Sequence, residues 1–181
     1  MKYLKIIILN LILSNSVMAQ TYNVNDVTSK VNFVIKNIGL NVNGSFSGTK
    51  GTVILDNKEF KKSVINISVN SNSVNTDNVA RDKHLRKDEY FDVEKFPIIN
   101  FESTKIESAS RLNRYNIEGN LTIKGISKPI KFELIAVEKD NNLELKCNFE
   151  INRRNFKVGG NSLVLSDNVK MNLNIIAVKT N

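Results

Sequence analysis

The chain has 181 residues, of which 41% are hydrophobic and 24% charged, values typical of one globular domain of ordinary size. One cysteine, Cys147, and one histidine, His84, exclude an intrachain disulfide and any metal site built on several His or Cys ligands. The formal net charge of +8 suits an anionic partner, but the lysines are scattered singly and accompany no nucleic-acid motif. We therefore expect no nucleic-acid partner and no metal.

The N-terminus has the three parts of a secretory signal peptide. Two early lysines supply the positive start, an apolar run extends over residues 6–13, and a small-residue cleavage site ends at Ala19. The run is shorter than the ~20 residues that a membrane-spanning helix needs. We predict a signal peptide over residues 1–19, a mature domain over residues 20–181, and export to the periplasm, with secretion as the alternative.

Most of the remaining chain alternates apolar and polar residues with a period of two, the pattern of strands that bury one face. The sequence predicts eight such strands. In chain order they cover residues 31–35, 52–55, 65–69, 99–103, 115–123, 130–136, 143–151 and 169–177. Glycines and asparagines indicate the turns, among them Asn43-Gly44 and Gly159-Gly160.

One segment between the third and fourth predicted strands breaks this period. Thr76 is a favourable N-cap, and acid–base pairs spaced i,i+4 follow it, so a short helix is predicted around residues 77–87. Pro97 ends the aromatic connection to the next strand. Since closure removes exposed sheet edges, we predict an all-β, eight-stranded antiparallel barrel with this one helix inserted.

An eight-stranded barrel either holds one small ligand or is filled by its own side chains, and alternation alone fits both. If it is hollow, seven inward side chains are expected to contact an apolar ligand. They are Phe33, Ile35, Phe46, Phe101, Leu121, Phe132 and Phe149. Cys147 is in phase with apolar neighbours, so we expect it to face inward as a small apolar residue.

The predicted helix carries Arg81, Asp82 and His84, residue types that also occur in catalytic sites. No second histidine and no Gly-x-Ser-x-Gly nucleophile motif exists to complete a triad, so we expect no enzyme activity. We expect Arg81 and Asp82 instead to lock the helix and residues 90–97 across one end of the barrel. The residues of this closing motif are Arg81, Asp82, His84, Phe91, Asp92 and Pro97.

These residues carry a family resemblance over nearly all of residues 20–181. The most specific motif is the charged and aromatic run from Arg81 to Pro97. Shorter motifs agree with it, namely Ser29-x-Val31-x-Phe33, Gly44-x-Phe46, Phe101-x-Ser103, Gly119-x-Leu121-Thr122-Ile123-x-Gly125, Ile151-Asn152-Arg153-Arg154-Asn155-Phe156 and Leu165-Ser166-Asp167-Asn168-Val169. Together they resemble the YceI-like family of exported bacterial lipid-binding proteins.

The resemblance implies a lipocalin-like barrel whose interior accepts a long isoprenoid or similar amphiphile, such as a polyprenyl or quinone-like lipid. No other cofactor is expected. Two positions depart from the family pattern: Asn37 stands where many members have His, and Lys157 where many have Gly. The alternative is a filled barrel that acts through its surface as a non-enzymatic stress or interaction protein. A homodimer and a peripheral membrane contact also stay open.

Overall fold

A computed structural model describes residues 19–56 and 59–180, so the predicted signal peptide lies outside the described residues except for Ala19. The strands are β1 (Gln20–Val24), β2 (Lys30–Asn37), β3 (Leu40–Phe46), β4 (Lys50–Leu55), β5 (Val64–Asn70), β6 (Ile98–Ser108), β7 (Arg114–Ile123), β8 (Ile126–Lys139), β9 (Asn142–Asn152) and β10 (Leu165–Lys179). Helix α1 spans Val79–Leu85, and short 3₁₀ turns occupy Phe60–Lys62, Ser71–Ser73 and Arg153–Phe156. Among the described residues, no helix has the length and apolar character required to span a bilayer.

Eight strands close into an antiparallel barrel in the order β1, β4, β5, β6, β7, β8, β9 and β10, and β10 pairs back onto β1. Because β10 is long, one end of it pairs with β1 and the other with β2. The β2–β3 hairpin thus extends the barrel wall beyond β1. The outer side of β3 bonds to the β5–β6 connection, where the backbones of Ser45 and Asn75 exchange hydrogen bonds of 2.8 and 3.0 Å. The predicted eight-stranded, all-β barrel with one short helix is confirmed.

The β2–β3 hairpin turns at a different place from the one that the sequence indicated. The predicted turn at Asn43-Gly44 is wrong, because both residues lie inside β3. A Cβ atom on Gly44 would lie 2.1 Å from the ring of Phe33, so the glycine makes room for that ring. The chain turns instead at Ile38 and Gly39, which have φ angles of 51° and 76°. Strands β1 and β3 are additional to the eight predicted stretches.

Helix α1 begins two residues later than predicted. The N-cap is Asn78, whose side chain accepts a hydrogen bond from the backbone N–H of Arg81 at 2.9 Å. The predicted cap, Thr76, is buried and donates to Asp82 Oδ1 from both its backbone N–H and its hydroxyl. The chain reverses between these two residues at Asp77, which has a φ of 57°.

The barrel has a solid half and a hollow half. In the half that contains β1, tightly packed side chains fill the interior. They are Tyr22, Val53, Ile106, Ile117, Leu143 and Ala177, each at most 2% exposed. Desolvation, together with the influence of the Glu138 carboxylate, raises the pKa of the Tyr22 phenol. The half that contains the β2–β3 turn and α1 holds the site described next.

Candidate functional site

A cavity of about 410 Å³ occupies the hollow half. This volume falls within the roughly 300–1,000 Å³ typical of small-molecule sites. Its walls come from eight strands, β2, β3 and β5–β10, from α1 and the segment that follows it, and from the loop before β10. All seven side chains expected inside line it: Phe33, Ile35, Phe46, Phe101, Leu121, Phe132 and Phe149. Their contact with a ligand stays a prediction.

Three aromatic rings form one continuous wall across β6, β8 and β9. Phe132 stacks on Phe149 with ring centroids 4.8 Å apart and packs at a tilt against Phe101 at 5.4 Å. Gly119 admits the Phe101 ring, since a Cβ atom there would approach it to 2.4 Å. Such ring pairs contribute about 0.5–1.5 kcal/mol each beyond their burial, so the packing of this wall is stabilised by the protein itself.

Cys147 lines the same cavity from β9, facing inward as predicted. Burial raises the pKa of its thiol to about 12, so the group stays protonated at neutral pH. A protonated, buried thiol behaves as a small apolar side chain and not as a nucleophile.

Arg81 and Asp82 meet at Thr76. Arg81 donates from Nε to the Thr76 hydroxyl and from a terminal nitrogen to the Thr76 carbonyl, both at 2.7 Å. Asp82 accepts from the same threonine at 2.9 and 2.5 Å. These bonds join both side chains to the residue that leads into the helix, and their role in locking residues 90–97 stays a prediction. The pair fixes the start of α1 over the cavity.

The rest of the predicted closing motif lies in the same β5–β6 connection. Phe91 packs edge-on against Phe46 with centroids 5.4 Å apart, and so covers the cavity from above. Asp92 has a φ of 50°, and its carbonyl accepts from the two N–H groups three and four residues later. The carbonyl of Pro97 accepts from the backbone of Ser71, which joins the two ends of the connection.

The cavity opens where lining residues are exposed, at His84, Ser162 and Val164. His84 lies 3.1 Å from Glu89 Oε2 and packs edge-on against Tyr90. The other polar lining residues include Asn37, Thr76, Arg81, Asn100 and Arg153. Asn37 lies at the end of β2, Ser162 in the loop before β10, and Arg81 and His84 on the helix. These residues place polar groups at the mouth and leave the interior apolar.

The buried side chain of Arg153 holds the wall of the mouth in place by hydrogen bonds. Its side chain is 4% exposed and donates to four backbone carbonyls and one carboxylate. The acceptors are the carbonyls of Val158 (2.8 Å), Gly160 (3.0 Å), Leu165 (3.4 Å) and Ser166 (2.9 Å) and Oδ1 of Asp167 (3.0 Å). The sequence alone predicts no role for Arg153, although this residue continues the inward-facing series of β9 two residues beyond Ile151.

Lys157 follows Arg153–Phe156 in the left-handed conformation, with a φ of 54°. Glycine adopts this conformation without strain, so Lys157 occupies a backbone position that favours glycine. The Lys157 carbonyl accepts a hydrogen bond from Lys124 Nζ at 3.1 Å, and the same ammonium also binds the carbonyl of Asp88.

Within residues 19–56 and 59–180, no group of three or more His, Cys, Asp or Glu side chains could hold a metal ion.

Comparison with known proteins agrees with this geometry. The family model of the YceI-like domain matches residues 22–177. Protein YceI of Salmonella arizonae is 38% identical over 104 residues, which are 57% of this chain and 53% of that protein. The chain thus spans about half the length of the curated relatives it matches.

Two solved structures share the fold. Burkholderia cenocepacia BcnA superposes with a TM-score of 0.80 at 22% identity, covering 86% of this chain and 99% of that one. A domain of Saccharophagus degradans, described as a polyisoprenoid binding domain implicated in plant cell wall breakdown, superposes with a TM-score of 0.71 at 14% identity. That match covers 88% of this chain and 98% of the domain.

The fold and the site define a class of protein: an antiparallel barrel, closed and solid at one end, with an apolar cavity under a helical lid at the other. Within that class the chain belongs to the YceI-like domain family, as its match over residues 22–177 shows.

Proposed function

We propose that this protein binds one long apolar amphiphile of the polyisoprenoid kind inside the barrel. After export to the periplasm, it sequesters, stores or carries that molecule in the cell envelope. The observation that carries the proposal is the cavity of about 410 Å³ with walls built almost wholly from aliphatic and aromatic side chains.

The distribution of polar groups supports an orientation for the ligand. Each methylene that leaves water contributes ~0.8 kcal/mol, so an apolar chain gains affinity from the walls without any specific polar contact. Asn37, His84 and Ser162 stand at the mouth, where the polar end of an amphiphile would keep contact with water. The similar Saccharophagus degradans domain is described as polyisoprenoid binding, which is consistent with such a ligand.

We infer a binding role and not a catalytic one. The guanidinium of Arg81 and the carboxylate of Asp82 are engaged with Thr76. The thiol of Cys147 is protonated because burial raises its pKa to about 12. A barrel that acts only through its surface would have no need of an apolar space of this size.

The test is native mass spectrometry of protein purified from an exported, cell-derived preparation, followed by solvent extraction of whatever it releases. The expected result is a discrete added mass that extracts as a polyprenyl or quinone-like lipid. A mass that stays bare, even after incubation with a panel of polyprenols and quinones, would contradict the proposal.

A variant ties the bound mass to the cavity. Met171 lines the cavity between Phe33 and Phe149, its partners in β2 and β9. Met171→Trp should occupy part of the space and lower the fraction of protein that carries the added mass, while the melting temperature stays within a few degrees. Leu112→Trp adds the same indole at a position that is 90% exposed and should leave the added mass unchanged.

A further inference from the structure

Four aliphatic side chains form one exposed patch beside the mouth of the cavity. Ile38 and Leu40 are each 73% exposed on the β2–β3 turn, and Val164 is 53% exposed on the loop before β10, next to the fully exposed Leu163. A hydrogen bond of 2.8 Å from the Ile38 N–H to the Val164 carbonyl joins the two segments. Single exposed aliphatic residues are ordinary, but a contiguous group indicates an interaction surface. We call it the mouth patch.

The requirements of the turn do not explain why an isoleucine, Ile38, lies at the tip of this patch. Asn37 and Leu40 pair across the hairpin, so Ile38 and Gly39 form a two-residue turn, and both have positive φ. Such turns favour Asn or Asp followed by Gly. A β-branched residue with a φ of 51° is strained, and here it also exposes most of its side chain to water. Strain without burial points to a role in contacting something else.

The charges beside the mouth patch identify the kind of partner. Lys36 lies two residues before the turn, and Lys157 lies in the segment that precedes the loop before β10. The charge of Arg154 is paired with Asp167, so these two lysines are the cations that flank the patch. Protruding aliphatic side chains flanked by cations match a lipid surface with anionic headgroups. Protein interfaces are instead enriched in Tyr, Trp and Arg and bury about 800 Å² per partner, which four aliphatic side chains do not provide.

The mouth patch lies directly beside the opening of the cavity. Asn37, Ser162 and Val164 line the opening and lie beside or within the patch, so whatever the patch enters also meets the opening. We propose that the mouth patch inserts into the surface of an anionic bilayer and so brings the cavity into contact with the lipid phase. The benefit of bringing the cavity to the lipid phase rests on the proposed apolar ligand. Insertion of the mouth patch into a bilayer is tested without any ligand.

The experiment measures co-sedimentation of the mature protein with vesicles of phosphatidylcholine alone or mixed with phosphatidylglycerol, at low and at high salt. The test variant is Ile38→Asn combined with Leu163→Asn. Asn relieves the strain at the turn, so the variant should fold at least as stably. Neither residue lines the cavity. The control is Leu112→Asn, which removes an equally exposed leucine from the β6–β7 turn at the opposite end of the barrel.

We expect the wild type to bind the mixed vesicles more tightly than phosphatidylcholine alone, and less tightly at high salt. The double variant should lose at least about tenfold in partitioning, since two aliphatic side chains no longer leave water, and the control should match the wild type. Wild type that stays in the supernatant with both vesicle types overturns the inference. So does a control that loses as much as the double variant. A dimer in light scattering that the double variant abolishes would overturn it too, because the patch would then bind a second copy.

Binding of the fluorescent apolar probe N-phenyl-1-naphthylamine in vesicle-free solution separates this inference from the proposed function. The double variant should bind the probe like the wild type. If the double variant loses vesicle binding and keeps probe binding, the mouth patch contacts the membrane and does not form the ligand cavity. Failure of the wild type to bind the probe would count against the cavity, whatever the vesicles show.

Discussion

Arg153 offers the sharpest test of how the mouth is built. Its buried guanidinium holds four carbonyls between Val158 and Ser166, as well as the carboxylate of Asp167. We predict that Arg153→Met, which keeps the length of the aliphatic stem and removes the fork, lowers the free energy of unfolding by about 3 kcal/mol. For a domain of this length, that is a fall of about 6–12 °C in melting temperature.

The magnitude follows from the surroundings of the five bonds. Hydrogen bonds to a charged donor are worth about 1.5–3 kcal/mol each, but these share one guanidinium and are not additive. Removing one partner of a buried ion pair costs about 3–5 kcal/mol because the other is left stranded. Here Asp167 is 39% exposed and can regain water, so the lower end of that range applies.

The neighbouring Arg154 provides the matched control. It lies 3.6 Å from the same carboxylate but is 45% exposed, and an exposed pair of this kind contributes at most about 1 kcal/mol. Arg154→Met should therefore shift the melting temperature by only a few degrees. Arg153→Lys should fall between the two, because one ammonium cannot reach five acceptors.

Urea unfolding followed by circular dichroism measures the three variants, and N-phenyl-1-naphthylamine titration reports on the mouth. Loss of Arg153 should also weaken probe binding, since Val158 and Leu165 line the cavity and lose their common anchor. Equal destabilisation by Arg153→Met and Arg154→Met, or a loss below about 1 kcal/mol for the first, would refute this reasoning.

Three further predictions concern single side chains. Lys157→Gly should raise the free energy of unfolding by about 1 kcal/mol, because it relieves the left-handed strain; a lower melting temperature would contradict this. Asp82→Ala should cost about 2–3 kcal/mol in thermal unfolding, since it leaves the buried Thr76 N–H and hydroxyl without their acceptor, and an unchanged melting temperature would remove that role. Cys147 should react with a disulfide reagent at pH 8 at least about tenfold more slowly than an ordinary thiol, because burial and a pKa of about 12 leave little accessible thiolate; equal rates in the native and urea-unfolded protein would argue against this.

The alternating strands could be predicted from the sequence because burial of one face imposes a period of two. Strand β1 is too short to display that period, since Tyr22 is its single fully buried residue. In β3 the period is interrupted by Gly44, an inward position from which a side chain is absent because the Phe33 ring occupies the space. A glycine after asparagine therefore indicated a turn, while the true turn contains an isoleucine that turn propensities disfavour.

Six of the seven inward residues of the site could be predicted for the same reason, Phe46 lying outside the predicted strands, but the space between them could not. Leu143 and Leu145 are both inward residues of β9, yet only Leu145 borders the cavity. The difference comes from what faces them across the barrel. Tyr22, Val53 and Ala177 help to fill one half, whereas the other half has its open side covered by a connection without regular alternation.

That division connects stability with binding. The solid half has the tightly packed interior that resists unfolding, so the hollow half can leave apolar walls unfilled and still keep its shape. Its walls are then held by polar anchors at the rim, Arg153 beneath one loop and the Arg81–Asp82–Thr76 cluster beneath the helix. Charged residues of the motifs thus hold open the apolar cavity in which the proposed ligand would bind. Weakening an anchor should change binding and stability together, whereas partly filling the cavity at Met171 should change binding alone.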